Sequence, residues 1–330
     1  MLKKSLSILC IFTVILCFTG MALGAQKVTW KLGGVHAVTT PETKGLNYFA
    51  DLVKKKSNGG FVVNVFPAGQ LGKDAVSLVE NVMMGSIEMF GNTMDWNQHL
   101  VKDFSILGMP FLFKNLEAVK NFQKGSIYRE MEKRTISERG VRVLADNWYR
   151  LPKVLVSKQP IRSLDDLKGL KMRMPSLKTY FETWKALGAK PTVIPWAEAF
   201  LALKKGIVDA MDSPIGSIYG MKFYEAAPYI TMTNHLLAPF DLLVNEKKYQ
   251  GLSGSYQKLL VEAGKEAGDY YTKLVVDMFD KDKVKMEKAG VKFIEIDTGP
   301  FVRKAAKVAE RFEAEGMWRK GLFKEITQSQ

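Results

Sequence analysis

The chain contains almost no cysteine and little histidine. Of its 330 residues, two are cysteine and three are histidine, and both cysteines, Cys10 and Cys17, lie near the N-terminus. A chain with no cysteine beyond that point has no disulfide framework, thiol nucleophile or cysteine-ligated metal. The histidines, His36, His99 and His235, lack the spacing of a metal site. We therefore expect neither a disulfide scaffold nor a metal centre.

Long hydrophobic runs are missing except at the N-terminus. There two lysines precede the apolar run Leu6–Phe18, and small residues follow it. A membrane span needs about 20 apolar residues, and this run is shorter. The pattern is typical of a secretory signal peptide. We predict a signal peptide over residues 1–25, cleaved near Gly24 or Ala25, and an exported protein.

The motifs of common enzyme classes are also absent. The sequence has no Gly-x-Ser-x-Gly nucleophile elbow, no Gly-x-Gly-x-x-Gly segment that opens a helix, and no Walker A loop. We therefore expect no cofactor and a binding protein rather than an enzyme. The alternative is an exported enzyme acting on an acidic substrate, for which Glu198, Asp212 and His235 are the candidate general bases.

Acidic residues are outnumbered by basic ones. Lys and Arg number 48 against 34 Asp and Glu, and the net charge of +14 becomes +12 once the two lysines of the signal peptide are removed. Such a surface attracts anions. A nucleic-acid site would show a basic stripe with interleaved aromatics, whereas the basic runs here, such as Lys54–Lys56, are short. We expect no nucleic-acid partner.

Hydrophobic patterns alternate between those of strands and those of helices. Val28, Trp30 and Leu32 alternate as in a strand, Pro41–Lys56 has helical spacing, and Phe61–Val65 is rich in β-branched residues. This order predicts an α/β fold with largely parallel sheets. The same order recurs in the middle of the chain and predicts a second α/β lobe.

The C-terminal third has mostly helical patterns. Helices are predicted over Ser255–Lys281, Val284–Ala289 and Pro300–Glu315. The first of these is long enough to cross both lobes, since a helix rises about 1.5 Å per residue.

Arg173 is the strongest candidate for an anion-binding residue. Apolar residues occupy alternate positions in Leu170–Met174, so Arg173 points to the opposite face, and Pro175 ends the strand. In open α/β sheets, ligands bind beyond the carboxyl ends of strands, where an arginine can bind a carboxylate through two parallel hydrogen bonds. The alternative is an ordinary solvated arginine at a strand end.

The segment around Arg173 resembles a signature of known transport proteins. Residues 169–175 match the pattern Gly-Leu-Lys-x-Arg-x-Pro of substrate-binding proteins of tripartite ATP-independent periplasmic (TRAP) transporters, the DctP-like family. Other stretches resemble further motifs of that family, in the same order along the chain: Phe66–Gly72, Pro110–Phe113, Pro195–Phe200, Ala202–Asp209, Lys222–Glu225 and Thr231–His235.

The resemblance implies a fold and a division into lobes. It implies a two-lobed α/β periplasmic binding protein with a long helix that links the lobes and closes over an organic acid. Lobe I is expected to comprise residues 26–150 and 239–278, and lobe II residues 151–238 and 279–330.

The resemblance also implies roles for individual residues. The family's invariant arginine, which clamps the ligand carboxylate, falls on Arg173, and its aromatic residue falls on Trp196. A second basic contact falls within residues 150–153, where Arg150 and Lys153 are the alternatives. Further ligand contacts are expected at the following positions: His36, Asn92, Thr93 and Ser176.

The chain departs from the family at one motif. The family often reads Asp-Gly-x-Glu-Asn-Pro, whereas residues 209–214 read Asp-Ala-Met-Asp-Ser-Pro, which places Asp212 and Ser213 in the site. The Ser213 hydroxyl cannot offer the paired donor and acceptor of an asparagine amide. We therefore do not expect the common dicarboxylate or sialic acid specificity.

Aromatic residues suggest what the ligand is instead. Trp148 and Trp196, with Trp96 and Tyr149, would line a roomy apolar pocket suited to an aromatic or branched monocarboxylate. The alternative is that most of them are packing residues.

The resemblance finally implies partners. These are a small organic acid anion and the small and large membrane subunits of a TRAP permease. The protein itself is expected in the periplasm. The alternative is a ligand-sensing module for a membrane receptor, which would share the fold and the pocket.

Overall fold

The computed structural model describes residues 27–330, so the predicted signal peptide lies outside the described residues. The strands are β1 Val28–Gly34, β2 Phe61–Phe66, β3 Met89–Thr93, β4 Val141–Trp148, β5 Lys153–Ser157, β6 Lys171–Met174, β7 Lys190–Val193, β8 Ala210–Pro214, β9 Tyr229–Leu236, β10 Phe240–Asn245 and β11 Lys292–Ile294. The helices are α1 Pro41–Lys56, α2 Ala75–Met84, α3 Leu116–Lys124, α4 Ser126–Arg139, α5 Lys178–Leu187, α6 Ala199–Lys205, α7 Ile215–Gly220, α8 Glu246–Gln250, α9 Gly254–Lys288, α10 Gly299–Ala314 and α11 Leu322–Gln328.

Two separate sheets define two lobes. The sheet of lobe I has the order β2-β1-β3-β10-β4, and that of lobe II has the order β11-β9-β5-β8-β6-β7. The predicted α/β class is confirmed, and so is the prediction of largely parallel sheets, because all strands but one in each sheet run in the same direction. Strand β10 is antiparallel to both of its neighbours, and so is β5. Each of these strands follows a crossing of the chain between the lobes and enters its sheet from the opposite direction.

The lobes are joined by the chain at three places. The chain passes from β4 to β5 and returns from β9 to β10, and α9 packs against α1 and β4 in lobe I and against α7 in lobe II. Helix α9 runs without interruption for 35 residues, so the predicted break between Lys281 and Val284 is wrong; no glycine or proline lies there to produce one. No helix within residues 27–330 is long and apolar enough to cross a membrane.

Helix α1 shows how the local sequence builds lobe I. Pro41 occupies its first turn, where a missing N–H is harmless. Leu46, Phe49 and Val53 follow at helical spacing and are fully buried. They pack in a core that α9 completes with residues such as Tyr271. The N-terminus of α1 is thereby fixed beside the space between the lobes.

The C-terminal helices pack against parts of both lobes. Phe312 of α10, together with Trp318, lies in a cluster with Phe104 and Tyr128, which precede β4 in the chain. Helix α10 also contacts α5 of lobe II, and its Phe301 lies in that lobe's core. The segment that the sequence assigned to lobe II therefore contacts both lobes.

Candidate ligand-binding cleft

A cleft of about 1070 Å³, a volume that includes solvent-open space, lies between the lobes. Its walls are built where strands end: β1 and β3 in lobe I, and β6, β7 and β8 in lobe II. This is the expected place for a ligand in open α/β sheets. Of the ten site residues predicted from the sequence, nine line the cleft: His36, Asn92, Thr93, Arg150, Arg173, Ser176, Trp196, Asp212 and Ser213.

The guanidinium of Arg173 lies in the wall of the cleft and is largely unsatisfied. It is 5% exposed, and its Nε donates to the carbonyl oxygen of Ile194 at 2.8 Å. Among residues 27–330 it makes no other hydrogen bond and no carboxylate lies within 4.0 Å of it. Burial lowers its pKa to about 10. A buried cation with two free nitrogens favours an anionic partner.

Arg150 contacts lobe I and lobe II through one carboxylate. Its Nη2 donates to Oε1 of Glu42 at 2.9 Å. The same oxygen accepts a hydrogen bond of 2.7 Å from Ser217 Oγ of α7. Arg150 Nε is buried without a partner in the described part of the chain. The ion pair therefore fixes the guanidinium in the wall of the cleft and leaves its Nε donor without a partner.

Lys153, the alternative second basic residue, also lines the cleft. Its Nζ lies 3.6 Å from Oδ2 of Asp212, an oxygen that is also 3.2 Å from Nε2 of His235. Burial acts to raise the pKa of Asp212, but Lys153, His235 and Arg173 outweigh it and hold that pKa well below its ordinary value. Asp212 is therefore a carboxylate with a cationic neighbour.

Asp95 lines the opposite wall, in the turn that follows β3. Its Oδ2 accepts a hydrogen bond of 2.6 Å from the Tyr180 hydroxyl of lobe II. That hydroxyl in turn accepts one of 2.8 Å from Lys153 Nζ. Burial, and then Asp95, raise the pKa of Tyr180 well above its ordinary value, so the phenol stays protonated.

Trp196 and His36 form an aromatic part of the wall. The Trp196 ring centroid lies 5.6 Å from the guanidinium carbon of Arg173 and 5.4 Å from the ring of His36. Burial lowers the pKa of His36 to about 4, so the ring is neutral near pH 7. Both nitrogens of His36 and Nε1 of Trp196 lack partners within residues 27–330.

Asn92 belongs to a buried polar network under the cleft. Its Nδ2 donates to Oδ1 of Asn97 at 2.8 Å, and Asn97 Nδ2 donates to Oδ2 of Asp241 at 2.7 Å. Burial raises the pKa of Asp241 well above its ordinary value. Asn92 Oδ1 has no partner in the described residues. The network fixes Asn92 so that this oxygen keeps one position.

Trp148 is the predicted site residue that does not line the cleft. It is fully buried at the end of β4, and its Nε1 donates to the carbonyl oxygen of Gly264 in α9. A Cβ atom on Gly268 would come within 2.7 Å of the ring, so glycines make room for it. Its ring lies 5.8 Å from that of Phe240, which does line the cleft. Trp148 therefore packs behind the wall.

Several residues that line or support the cleft were not named from the sequence. Asp95 and Phe240 line the cleft, and Tyr180 and Glu42 bind residues that do. Trp96 lines the cleft, whereas Tyr149 does not. The signal available was position, since Asp95 comes two residues after the end of β3. The places of Phe240, Tyr180 and Glu42 depend on contacts with residues distant in the chain, which local patterns do not reveal.

Comparison with known proteins identifies the family. The sequence profile of "Bacterial extracellular solute-binding protein, family 7" (DctP) matches residues 32–318. The chain is 30% identical over 269 residues to the C4-dicarboxylate-binding periplasmic protein DctP of Rhodobacter capsulatus, covering 81% of this chain and 79% of that protein. It is 29% identical over 297 residues to a solute-binding protein of Roseobacter denitrificans, covering 90% of each.

Solved structures agree with this assignment. A TRAP periplasmic solute-binding protein from Ochrobacterium anthropi with bound L-fuconate is 29% identical, with a TM-score of 0.85, covering 92% of this chain and 99% of that one. One from Roseobacter denitrificans with bound L-galactonate is 28% identical, with a TM-score of 0.80, covering 89% and 99%. Both share the two-lobed fold, so the predicted fold is confirmed.

The family sets the class of activity. Its members are periplasmic binding proteins of transporters rather than enzymes, and they bind small organic acid anions and work with membrane permease subunits. The profile match spans most of the chain, and the two-lobed fold and interlobe cleft agree with it. The chain therefore belongs to family 7 of the bacterial extracellular solute-binding proteins, the DctP-type substrate-binding proteins of TRAP transporters.

Proposed function

We propose that this chain captures a small hydroxylated organic acid in the cleft and delivers it to a TRAP permease made of a small and a large membrane subunit. One observation carries the proposal: Arg173 presents a buried guanidinium to the cleft with no carboxylate partner within residues 27–330. A ligand carboxylate satisfies both free nitrogens through a bidentate pair. Such a pair also repays the desolvation of the cation.

Unpartnered polar atoms favour a hydroxylated ligand. Oδ1 of Asp95, Asn92 and Asp212 are buried acceptors without partners in the described residues, and Arg150 Nε and Trp196 Nε1 are donors in the same condition. Hydroxyl groups can both donate and accept. An aromatic or branched acid would leave these atoms buried and unsatisfied, at a cost of about 1–3 kcal/mol each. This supports a sugar-acid type of ligand over the aromatic monocarboxylate suggested by the sequence.

The relatives support the same ligand class. The related structures from Ochrobacterium anthropi and Roseobacter denitrificans hold L-fuconate and L-galactonate, which are hydroxylated monocarboxylates. At 28–29% identity these names define a chemical class rather than a compound. Apolar surface from Trp196 and Phe240 is compatible with that class, because the faces of sugar chains carry C–H groups that pack on aromatic rings.

Lobe closure is the proposed mechanism. Arg173 belongs to lobe II, whereas Asn92 and Asp95 belong to lobe I. A ligand that contacts both walls binds the closed arrangement better, and this difference in affinity shifts the population toward closure. The closed form then docks on the permease. Residues 1–25 direct export and are then removed, with cleavage near Gly24 or Ala25 as proposed from the sequence.

A thermal-shift screen tests the proposal. The purified mature protein is heated with a panel of aldonates, uronates, dicarboxylates and aromatic acids. A ligand present at 100 times its dissociation constant stabilises the protein by about 2.7 kcal/mol. We expect the largest shifts from aldonates and uronates. Stabilisation by aromatic acids alone would contradict the proposed ligand class, and no stabilisation by any acid would contradict the proposed function.

A further inference from the structure

Three carboxylates line the cleft, and they have different partners. Asp212 faces Lys153 and His235, and Asp74 caps the N-terminus of α2 through the backbone N–H of Ser77. Asp95 has no cation within 4.0 Å among residues 27–330. It is also 1% exposed, so the structure buries a carboxylate in an anion-binding cleft without a salt bridge.

The hydrogen bonds show which way the protons point. A lysine ammonium only donates, so the Tyr180 oxygen must accept from Lys153 Nζ. The phenolic proton is then directed at Oδ2 of Asp95. Oδ2 is thereby occupied as an acceptor, and the carboxylate is held in one orientation. Oδ1 is buried and has no partner in the described part of the chain.

Asp95 and Arg173 lie on opposite walls. Asp95 follows β3 of lobe I, and Arg173 lies in β6 of lobe II. We propose that Asp95 is a specificity-determining residue: its Oδ1 accepts a hydroxyl of the ligand and its charge excludes a second carboxylate at that end. The inference rests on the proposed function, and it restricts the ligand to hydroxylated monocarboxylates.

The physical reason is the contrast between a hydroxyl and a carboxylate at the same position. A hydroxyl donates to Oδ1 and satisfies a buried acceptor. A carboxylate offers no proton and brings a second negative charge against the first in a site shielded from water. Discrimination of this kind works by repulsion of the wrong ligand. The hydrogen bond from Tyr180 prevents Asp95 from rotating away.

Matched acids test the inference. Galactonate and galactarate differ only in the oxidation of the terminal CH₂OH group to a carboxylate, and so do gluconate and glucarate, and glycerate and tartronate. Titration calorimetry gives the ratio of affinities within each pair for the wild-type protein, for Asp95→Asn and for Asp95→Ser. Asp51→Asn is the control, because Asp51 is exposed in α1 and its replacement changes the net charge equally.

The expected results separate this inference from the proposed function. For each matched pair of acids that binds, we expect the wild-type protein to bind the monocarboxylate at least about tenfold more tightly than the dicarboxylate. Asp95→Asn and Asp95→Ser should each reduce that preference at least about tenfold. Asp51→Asn should leave it unchanged. If acids bind but both Asp95 variants keep the wild-type preference, this inference is wrong and the proposed function stands. If the wild-type protein binds no acid, the proposed function fails and this inference fails with it.

Discussion

Glu42 and Arg150 form an ion pair of 2.9 Å, and both side chains are almost fully buried. Glu42 lies in the first turn of α1 in lobe I, and the oxygen that accepts from Arg150 also accepts from Ser217 of lobe II. One carboxylate oxygen therefore connects an arginine of the cleft to both lobes. The pair fixes Arg150, and the hydrogen bond from Ser217 connects it to lobe II.

Glu42→Ala should strongly destabilise the protein. The substitution leaves Arg150 as a buried charge without its partner, which costs about 3–5 kcal/mol. The change in the free energy of unfolding is measured by urea denaturation. Glu266→Ala is the matched control, because Glu266 forms an exposed pair with Lys56, and exposed pairs contribute about 0–1 kcal/mol. Equal effects of the two substitutions would show that the Glu42 pair does not hold the lobes.

His36 should make stability depend on pH. Burial lowers its pKa in the folded protein to about 4, against 6.5 in an unfolded chain. Between these values the unfolded state binds more protons, so stability is complete above pH 6.5 and is lost as the pH falls toward 4. The loss between pH 7 and 5 is about 2 kcal/mol. His36→Gln should reduce the measured pH dependence by that amount, whereas an unchanged profile would show that His36 titrates normally.

Trp196→Ala should weaken ligand binding by roughly tenfold. The ring lies against the Arg173 guanidinium, and a cation–π contact together with lost apolar surface accounts for about 1–2 kcal/mol. Trp196→Phe retains a ring and should retain most of the affinity. Titration calorimetry of both variants with the ligand found by the screen checks this. If Trp196→Phe loses as much affinity as Trp196→Ala, the indole itself, through Nε1, is the contact.

Trp148→Ala should reduce stability and leave the chemistry of the site intact. The residue is fully buried behind Phe240, and truncation of a buried tryptophan costs about 3–5 kcal/mol. Urea unfolding measures the loss, and calorimetry at low temperature measures binding by the folded fraction. A variant as stable as the wild type, with affinity reduced as in Trp196→Ala, would place Trp148 in the site after all.

Local sequence predicted the elements that carry clear end signals. Helix α1 has the predicted bounds because a proline begins it. Helix α2 carries end signals of the same local kind, since Asp74 caps its start and Gly85 caps its end. Gly85 has φ 72°, a conformation that favours glycine. The direction of β10 was not predictable in this way. It depends on where the chain returns from lobe II, which is a property of the whole fold.

The site residues were likewise predictable from the sequence only where the signal was local. Arg173 was found from its strand and its motif, both of which are local. Glu42 and Tyr180 were not named, because their partners lie 108 and 85 positions away in the chain. Trp148 was named for its residue type alone, and the packing of β4 against α9 places it in the core.

The claim that Arg173 binds the ligand carboxylate is tested most directly by titration calorimetry of Arg173→Ala. Hydrogen bonds to a charged group contribute about 1.5–3 kcal/mol each, so the loss of two should weaken binding at least about 100-fold. Arg162→Ala is the control, since Arg162 is an exposed arginine of the same lobe. We expect Arg162→Ala to bind as the wild type does. An Arg173→Ala variant that is folded and binds the same acid with wild-type affinity would contradict the account.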